Sequence, residues 1–218
     1  MTTIFTRPNE RPTEYSTLVS VDPSVTPAPH RHFLVHKPYG YLSQFISHAS
    51  GETKKKKLGE LHNFPAGTMA VGRLDENSEG LLLLTTDGKV SERIRGNGTE
   101  KEYYAQLDGQ VSDEALAHLQ AGVEIGLPEG KFITSPCKAF RLDPAPDFAP
   151  RSRKIRDDRH GPTSWVSITL TEGKFRQIRK MTAAVGFPTL RLVRVRVGQF
   201  KLGNMASGAV VEVAELEC

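Results

Sequence analysis

The sequence predicts an α/β fold of the α+β type, with a mostly antiparallel mixed sheet and flanking helices. Several segments alternate apolar and polar residues with the period of a β-strand, and turn residues separate them, as in hairpin-connected sheets. Two other segments carry apolar residues at helical spacing. The chain has 218 residues, of which 38% are hydrophobic and 25% charged. This composition is typical of a globular protein, and the length suits one fairly large domain or two small lobes that share a core.

The first predicted elements surround a polar loop that is bounded by glycines. Residues 33–37 form a strand that ends at Pro38, and residues 68–71 form a short strand that enters the loop. The loop itself is residues 72–80, and the four leucines at 81–84 read as a buried strand directly after it. A rigid element that holds a polar loop is a common way to position a functional site.

The rest of the chain alternates strands with helices. Ser112 is a good N-cap for a helix that ends near Gly122. A second helix is expected from Arg176 to Val185, with Gly186 as its stop. The further expectations are helical turns at 89–95, strands at 102–107, 165–170, 191–197 and 210–213, and an exposed loop at 142–162.

Basic residues are concentrated near the end of the chain. Between Glu172 and Lys201 there are eight lysines and arginines and a single acid, Glu172, although the net charge of the whole chain is only +4. A segregated basic segment is the electrostatic pattern of a protein that binds a phosphate backbone. The alternative is a set of ordinary solvated surface charges, which is the usual position of lysine and arginine.

Other features exclude several classes of protein. The two cysteines, Cys137 and Cys218, lack CxxC spacing, which argues for reduced thiols and against a zinc or redox site. No apolar run reaches the ~20 residues that span a bilayer, and the first residues do not resemble a secretion signal. A cytoplasmic protein without a metal or membrane partner is expected, with residues 1–30 as a flexible tail and 31–218 as the folded domain.

Three residues are candidates for catalysis. Asp75 lies in the glycine-bounded loop, Tyr103 follows on a predicted strand, and Arg179 lies at the edge of the apolar stripe of the second helix. An arginine there can reach inward and pair with a carboxylate. Each has a plain structural alternative, in which Asp75 caps a turn, Tyr103 packs in the core and Arg179 is a surface cation.

Four motifs, taken together and in this order, resemble the RNA pseudouridine synthases. The similarity extends from about His32 to the C-terminus and is greatest to the branch that modifies ribosomal RNA and includes the small-subunit 16S enzyme. Two further segments, 162–165 and 186–192, are similar to members that act on the large subunit. The four motifs are His36-Lys37-Pro38-Tyr39-Gly40, Gly72-Arg73-Leu74-Asp75, Lys101-Glu102-Tyr103 and Gln177-Ile178-Arg179.

This resemblance implies a pseudouridine-synthase fold with an active-site cleft across the sheet. It implies that Asp75 is the essential carboxylate, as nucleophile or as base, that Tyr103 stacks on the target base, and that Arg179 pairs with Asp75. The substrate is expected to be a specific uridine of ribosomal RNA, in the 23S RNA of the large subunit. The residues expected to bind RNA are Arg73, Lys37, Lys101, Arg176, Arg194 and Arg196.

The resemblance also implies what the protein does without. The reaction is an isomerisation, so no cofactor is expected. No protein partner is implied, and the protein is expected to be a monomer. Many members of this branch begin with a small RNA-binding domain of the S4 type, for which residues 1–30 leave no room. The alternative from another class is a non-catalytic RNA-binding or ribosome-assembly protein that keeps the fold.

Overall fold

In the computed structural model, the described residues are 29–46, 55–96, 98–156 and 158–217. The flexible tail predicted for residues 1–30 therefore lies almost wholly outside the described residues. The described elements are β1 (His32–Lys37), β2 (Tyr41–Leu42), β3 (Lys56–Lys57), β4 (Met69–Ala70), β5 (Glu79–Thr85), α1 (Gly88–Gly96), β6 (Lys101–Asp108), α2 (Asp113–Ala121), β7 (Glu124–Leu127), β8 (Gly130–Ile133), β9 (Lys138–Arg141), β10 (Thr163–Leu170), α3 (Gln177–Ala184), β11 (Thr189–Val197), β12 (Phe200–Lys201) and β13 (Val210–Val213).

Most of these strands form one mixed sheet. Its order is β13-β1-β5-β11-β6-β10-β9, with β12 beside β11 and β4 beside β5. Every neighbouring pair in this sheet is antiparallel except β5 and β11, which are parallel. The predicted α+β class with a mostly antiparallel sheet is therefore confirmed.

The leucine run forms the centre of the sheet. All seven residues of β5 are buried, and successive leucines enter different apolar clusters. Leu81 and Leu83 pack with Val193 and Ile94 on one face, whereas Leu82 and Leu84 pack with Phe33 and its neighbours on the other. A strand covered on both faces needs apolar residues at every position, which explains an uninterrupted run instead of an alternating one.

Gly80 allows β5 and β11 to approach each other where they pair. It lies opposite Arg194 in the parallel register and has a φ of +106°. A Cβ at this position would lie 2.3 Å from the carbonyl oxygen of Arg194. Only glycine fits both the backbone conformation and the space, so the end of the polar loop is fixed against β11.

The two predicted helices are present, with one difference at a terminus. Ser112 caps α2, since its Oγ accepts a hydrogen bond from the backbone N–H of Ala115 at 3.1 Å, and the helix ends at Gly122. Arg176, expected inside the second helix, instead precedes α3 with a left-handed φ of 53°. Such a conformation is uncommon outside glycine and is often associated with a site. Each described helix is too short and too polar to cross a membrane.

Two regions differ from the sequence-based expectation. The β7–β8 hairpin and strand β9 lie where no strand was predicted. The loop expected to be exposed at 142–162 is largely so, but Phe148 packs beside Tyr104 and Trp165, with ring centroids 6.1 and 5.7 Å away. The loop therefore covers part of one face of the sheet.

Candidate active site

The loop that carries Asp75 forms one wall of a cavity of about 600 Å³. Tyr103 from β6 and residues 173–178, which lead into α3, form other walls of the same cavity. The structure therefore brings Asp75 and Tyr103 to one cavity, whereas Arg179 follows directly after the lining residues 173–178 and does not itself line it. Asp75 and Tyr103 are both partly exposed, as side chains that meet a ligand must be.

A hydroxyl group holds the Asp75 loop in place. Ser43 Oγ donates to the carbonyl oxygen of Leu74 at 2.8 Å and accepts from the N–H of Leu74 at 3.0 Å. The N–H of Gly40 donates to the carbonyl oxygen of Glu76 at 2.9 Å. The turn after β1 thus fixes the backbone on both sides of Asp75. Sequence reasoning missed Ser43, because nothing in its local pattern indicates a partner 31 residues away.

The cation nearest to the Asp75 carboxylate belongs to Arg176. Its Nη1 lies 3.7 Å from Asp75 Oδ2, and both side chains are about one-third exposed. The two groups form a solvent-accessible ion pair, which contributes little to folding but places a positive charge beside the carboxylate. The left-handed backbone at Arg176 belongs to the turn in which its side chain reaches the cavity.

Arg179 lies close by but makes other contacts. Its Nη2 donates to the carbonyl oxygen of Asn77 at 2.9 Å and its Nη1 to that of Thr189 at 3.2 Å. The ion pair predicted between Arg179 and Asp75 is therefore not the one found, because two backbone carbonyls already occupy this guanidinium. Burial, aided by repulsion from Arg176, lowers the pKa of Arg179, while attraction to Asp75 opposes that shift. Arg179 ties α3 to the loop after Asp75, and its catalytic role stays a prediction.

Lys37 is a fully buried cation beneath this loop. The side chain is 0% exposed, and Nζ donates to the carbonyl oxygens of Pro38 at 2.9 Å and Tyr41 at 2.7 Å. Burial lowers the pKa of Lys37 to about 7, against the opposing attraction of Glu79 and other nearby carboxylates. Burial also argues against the predicted contact between Lys37 and RNA, since Nζ instead holds the turn after β1.

A known protein family matches most of this chain. Residues 31–184 match the model of a family described as RNA pseudouridylate synthase. The chain belongs to this family. The family that the four sequence motifs indicated is thereby confirmed.

Individual relatives of this chain support a narrower similarity. Ribosomal large subunit pseudouridine synthase E of Xanthomonas axonopodis pv. citri (strain 306) is 42% identical over 175 residues, which cover 79% of this chain and 88% of the relative. The protein of the same name from Vibrio parahaemolyticus serotype O3:K6 (strain RIMD 2210633) is 38% identical over 182 residues, which cover 83% of this chain and 72% of the relative. Segments 162–165 and 186–192 indicated this similarity to synthase E from the sequence, and it is confirmed.

A solved structure supports the fold. The chain is similar to a crystal structure of pseudouridylate synthase, with a TM-score of 0.66 and 25% sequence identity, over 85% of this chain and 71% of the other. The predicted pseudouridine-synthase fold agrees with this similarity.

The arginines of β11 are largely withdrawn from solvent. Arg194 is 3% exposed, and its Nε donates to the carbonyl oxygen of Leu81 at 2.8 Å. Arg196 bonds Glu102 at 3.1 Å and Glu100 at 2.9 Å. The two carboxylates that pair with Arg196 argue against its predicted contact with RNA. Arg194 Nη2 has no hydrogen-bond partner among the described residues, and its contact with RNA stays a prediction.

The remaining predicted RNA-binding residues lie at the cavity or next to it. Arg73 is exposed and lines the cavity, as does Arg176. Lys101 lies deeper, and its Nζ donates to the carbonyl oxygens of Thr99 at 2.8 Å and Thr171 at 3.0 Å. Within the described residues, no group of three or more His, Cys, Asp or Glu side chains is arranged to hold a metal ion.

Proposed function

We propose that this chain converts a specific uridine of 23S ribosomal RNA, in the large subunit, into pseudouridine. Membership of the RNA pseudouridylate synthase family supports the reaction, and the names of its relatives support the large ribosomal subunit as the source of the substrate. The observation that carries the proposal is the cavity in which the Asp75 carboxylate meets an aromatic ring and a guanidinium group.

The chemistry makes limited demands on the protein. The bond between ribose C1′ and base N1 breaks, the base turns, and a bond forms between C1′ and C5. One proton leaves C5 and one is gained at N1, so substrate and product are isomers and no group donor or redox partner is consumed. The enzyme must hold the base outside its stack, assist at the sugar or the base, and move a proton.

Each demand has a candidate residue in the cavity. Moving a base out of an RNA stack costs a few kcal/mol, and stacking on an aromatic ring recovers about 1–3 kcal/mol, which is the proposed role of Tyr103. Asp75 acts as nucleophile or as base at the reacting centre. Arg176 stabilises its negative charge at 3.7 Å, and Arg179 keeps the loop after Asp75 in place through the carbonyl of Asn77.

Further parts of the proposal concern the protein as a whole. Residues 31–218 act as the catalytic domain, and Arg73 contributes to RNA binding from its exposed position at the cavity. A cytoplasmic location agrees with a ribosomal substrate. The protein is proposed to work as a monomer, and the proposed catalytic groups, all on one chain, need no second copy to complete the site.

The test of the reaction compares three proteins on unmodified ribosomal RNA that carries tritium at uridine C5. The wild type should release tritium, and Asp75→Asn should release none while RNA affinity stays within a few-fold. Asp113→Asn is the control, because the Asp113 side chain is 90% exposed on α2 and pairs with Arg141, so it should match the wild type.

Two outcomes would contradict the proposal. Tritium release by Asp75→Asn would refute the role of this carboxylate. RNA binding by the wild type without any release would favour the non-catalytic RNA-binding alternative. Mapping of pseudouridines in ribosomal RNA from cells with and without the protein then identifies the modified uridine, and loss of a single site in the 23S RNA is expected.

A further inference from the structure

A second cavity, of about 560 Å³, adjoins the one that contains Asp75. The two cavities share Gly72, Arg73, Tyr103 and Gly173 in their walls. A ligand in the first cavity is therefore separated from the second only by these residues. The volume of the second cavity lies in the range that accommodates a small-molecule-sized group.

The walls of the second cavity are strongly basic. The single acid among them, Glu172, is already occupied: its carboxylate accepts hydrogen bonds from the N–H and the hydroxyl of Ser135 and from the side chain of Gln177. These donors are neutral, so Glu172 keeps one negative charge against four cations, and the described walls retain an excess of positive charge. The four cations that line the cavity are Arg73, Arg95, Lys101 and Arg194.

Arg194 is the most informative of these cations. Its backbone is fixed against Gly80, where β5 and β11 pair. The side chain is buried, its Nε bonds the carbonyl of Leu81, and Nη2 has no hydrogen-bond partner within the described part of the protein. A buried N–H of a charged group without an acceptor is costly, so an acceptor is expected to reach it from the cavity.

The neighbours of Arg194 indicate that this acceptor carries negative charge. The guanidinium carbon lies 5.9 Å from the centre of the Tyr103 ring, so a group bound here lies beside the proposed base-stacking residue. Lys101 is also unfavourably placed, since burial and repulsion from Arg194 lower its pKa. A bound anion would relieve both the unpaired N–H and this repulsion.

We infer that the second cavity binds a phosphodiester group of the RNA strand next to the target uridine, with Arg194 and Arg73 as its donors. The inference rests on the proposed function and deepens it. A uridine in the first cavity is joined through the strand to phosphodiesters on both sides. Its neighbour can therefore enter the second cavity past the shared walls, where Arg95 and Lys101 add positive charge.

The experiment neutralises one phosphodiester at a time. Oligoribonucleotides that contain the mapped uridine are made with a single uncharged methylphosphonate at each flanking linkage, and their dissociation constants are measured for three proteins. For the wild type, one linkage should weaken binding by about tenfold when neutral, the scale of one hydrogen bond to a charged group.

The variants report whether the effect arises in this cavity. Arg95→Gln should weaken binding of the native oligonucleotide by about threefold, and neutralising the sensitive linkage should then cost less than in the wild type, as expected for coupled groups. Arg93→Gln is the matched control: Arg93 lies on the same helix but does not line the cavity. It should behave like the wild type.

Failure of the inference differs from failure of the proposed function. If no linkage is sensitive, or if Arg95→Gln behaves like Arg93→Gln, the second cavity does not bind a phosphodiester, even though the wild type still forms pseudouridine. If one linkage is sensitive through Arg95 but no pseudouridine forms, the cavity binds RNA as inferred and the proposed reaction is wrong.

Discussion

Lys37 should make the stability of this protein depend on pH in an unusual range. In the folded state its pKa is about 7, against 10.5 for an ordinary lysine. Between these values the unfolded chain holds a proton that the folded chain lacks. The free energy of unfolding should therefore rise by up to about 1.4 kcal/mol for each pH unit between 7 and 10.5.

The measurement is urea unfolding between pH 7.5 and 9.5 for the wild type and Lys37→Met. Over two pH units the contribution of Lys37 amounts to about 2.5 kcal/mol, and Lys37→Met should lack that part of the increase. Other titrating groups act equally in both proteins, among them Cys137, whose pKa burial raises to about 11. Their effects cancel in the difference.

An exposed lysine supplies the control. Lys89→Met makes the same chemical change at an exposed position of α1, and its unfolding free energy should rise with pH as steeply as that of the wild type. Parallel curves for the wild type and Lys37→Met would refute the reasoning. They would mean that water reaches Nζ and that the turn after β1 is not closed over it.

Two further predictions concern the backbone around the site. Ser43→Ala removes both hydrogen bonds to Leu74, and we expect kcat to fall about tenfold with little change in KM, since a displaced catalytic group costs rate more than binding. Ser164→Ala is the control, because it removes an equivalent pair of hydrogen bonds, to Gly109 and Val111. Both variants should lose about 1–3 kcal/mol of stability, but Ser164→Ala should keep its kcat. Equal losses of kcat in the two variants would contradict a positioning role for Ser43. Gly80→Ala should destabilise the fold by about 3 kcal/mol or more in urea unfolding, because a clash and a strained φ add together. Gly88→Ala, with open space around it, should change stability little, and the reasoning fails if the two variants are alike.

The sequence predicted the parts of the molecule that depend on local pattern. The leucine run after the Asp75 loop could only be a buried strand, and Ser112 and Gly122 marked the ends of α2. The four short motifs indicated the family, and the resemblance implied that Asp75 and Tyr103 share one site. In each case the signal lies within a few residues of the element that it specifies.

The parts that could not be predicted depend on partners far along the chain. The alternation of β11 is the same whether its arginines face solvent or the interior, and their partners Glu79, Glu100 and Glu102 lie about a hundred residues earlier. Likewise, the ion pair with Asp75 was expected from Arg179 but is formed by Arg176, three positions earlier, where the backbone is left-handed. Local periodicity carries no information about such pairings.

The pairing of β1 with β13 has a consequence for biosynthesis. Residues 32–35 emerge from the ribosome well before residues 210–213, the strand that covers their outer edge. Until then the edge of β1 has unpaired backbone groups, and His36 lacks its bonds to Met205 and Ala209. A nascent chain that lacks residues 210–213 therefore cannot complete the pairing of the strand that leads to Lys37, and we expect its site to become ordered only once that strand is free to fold.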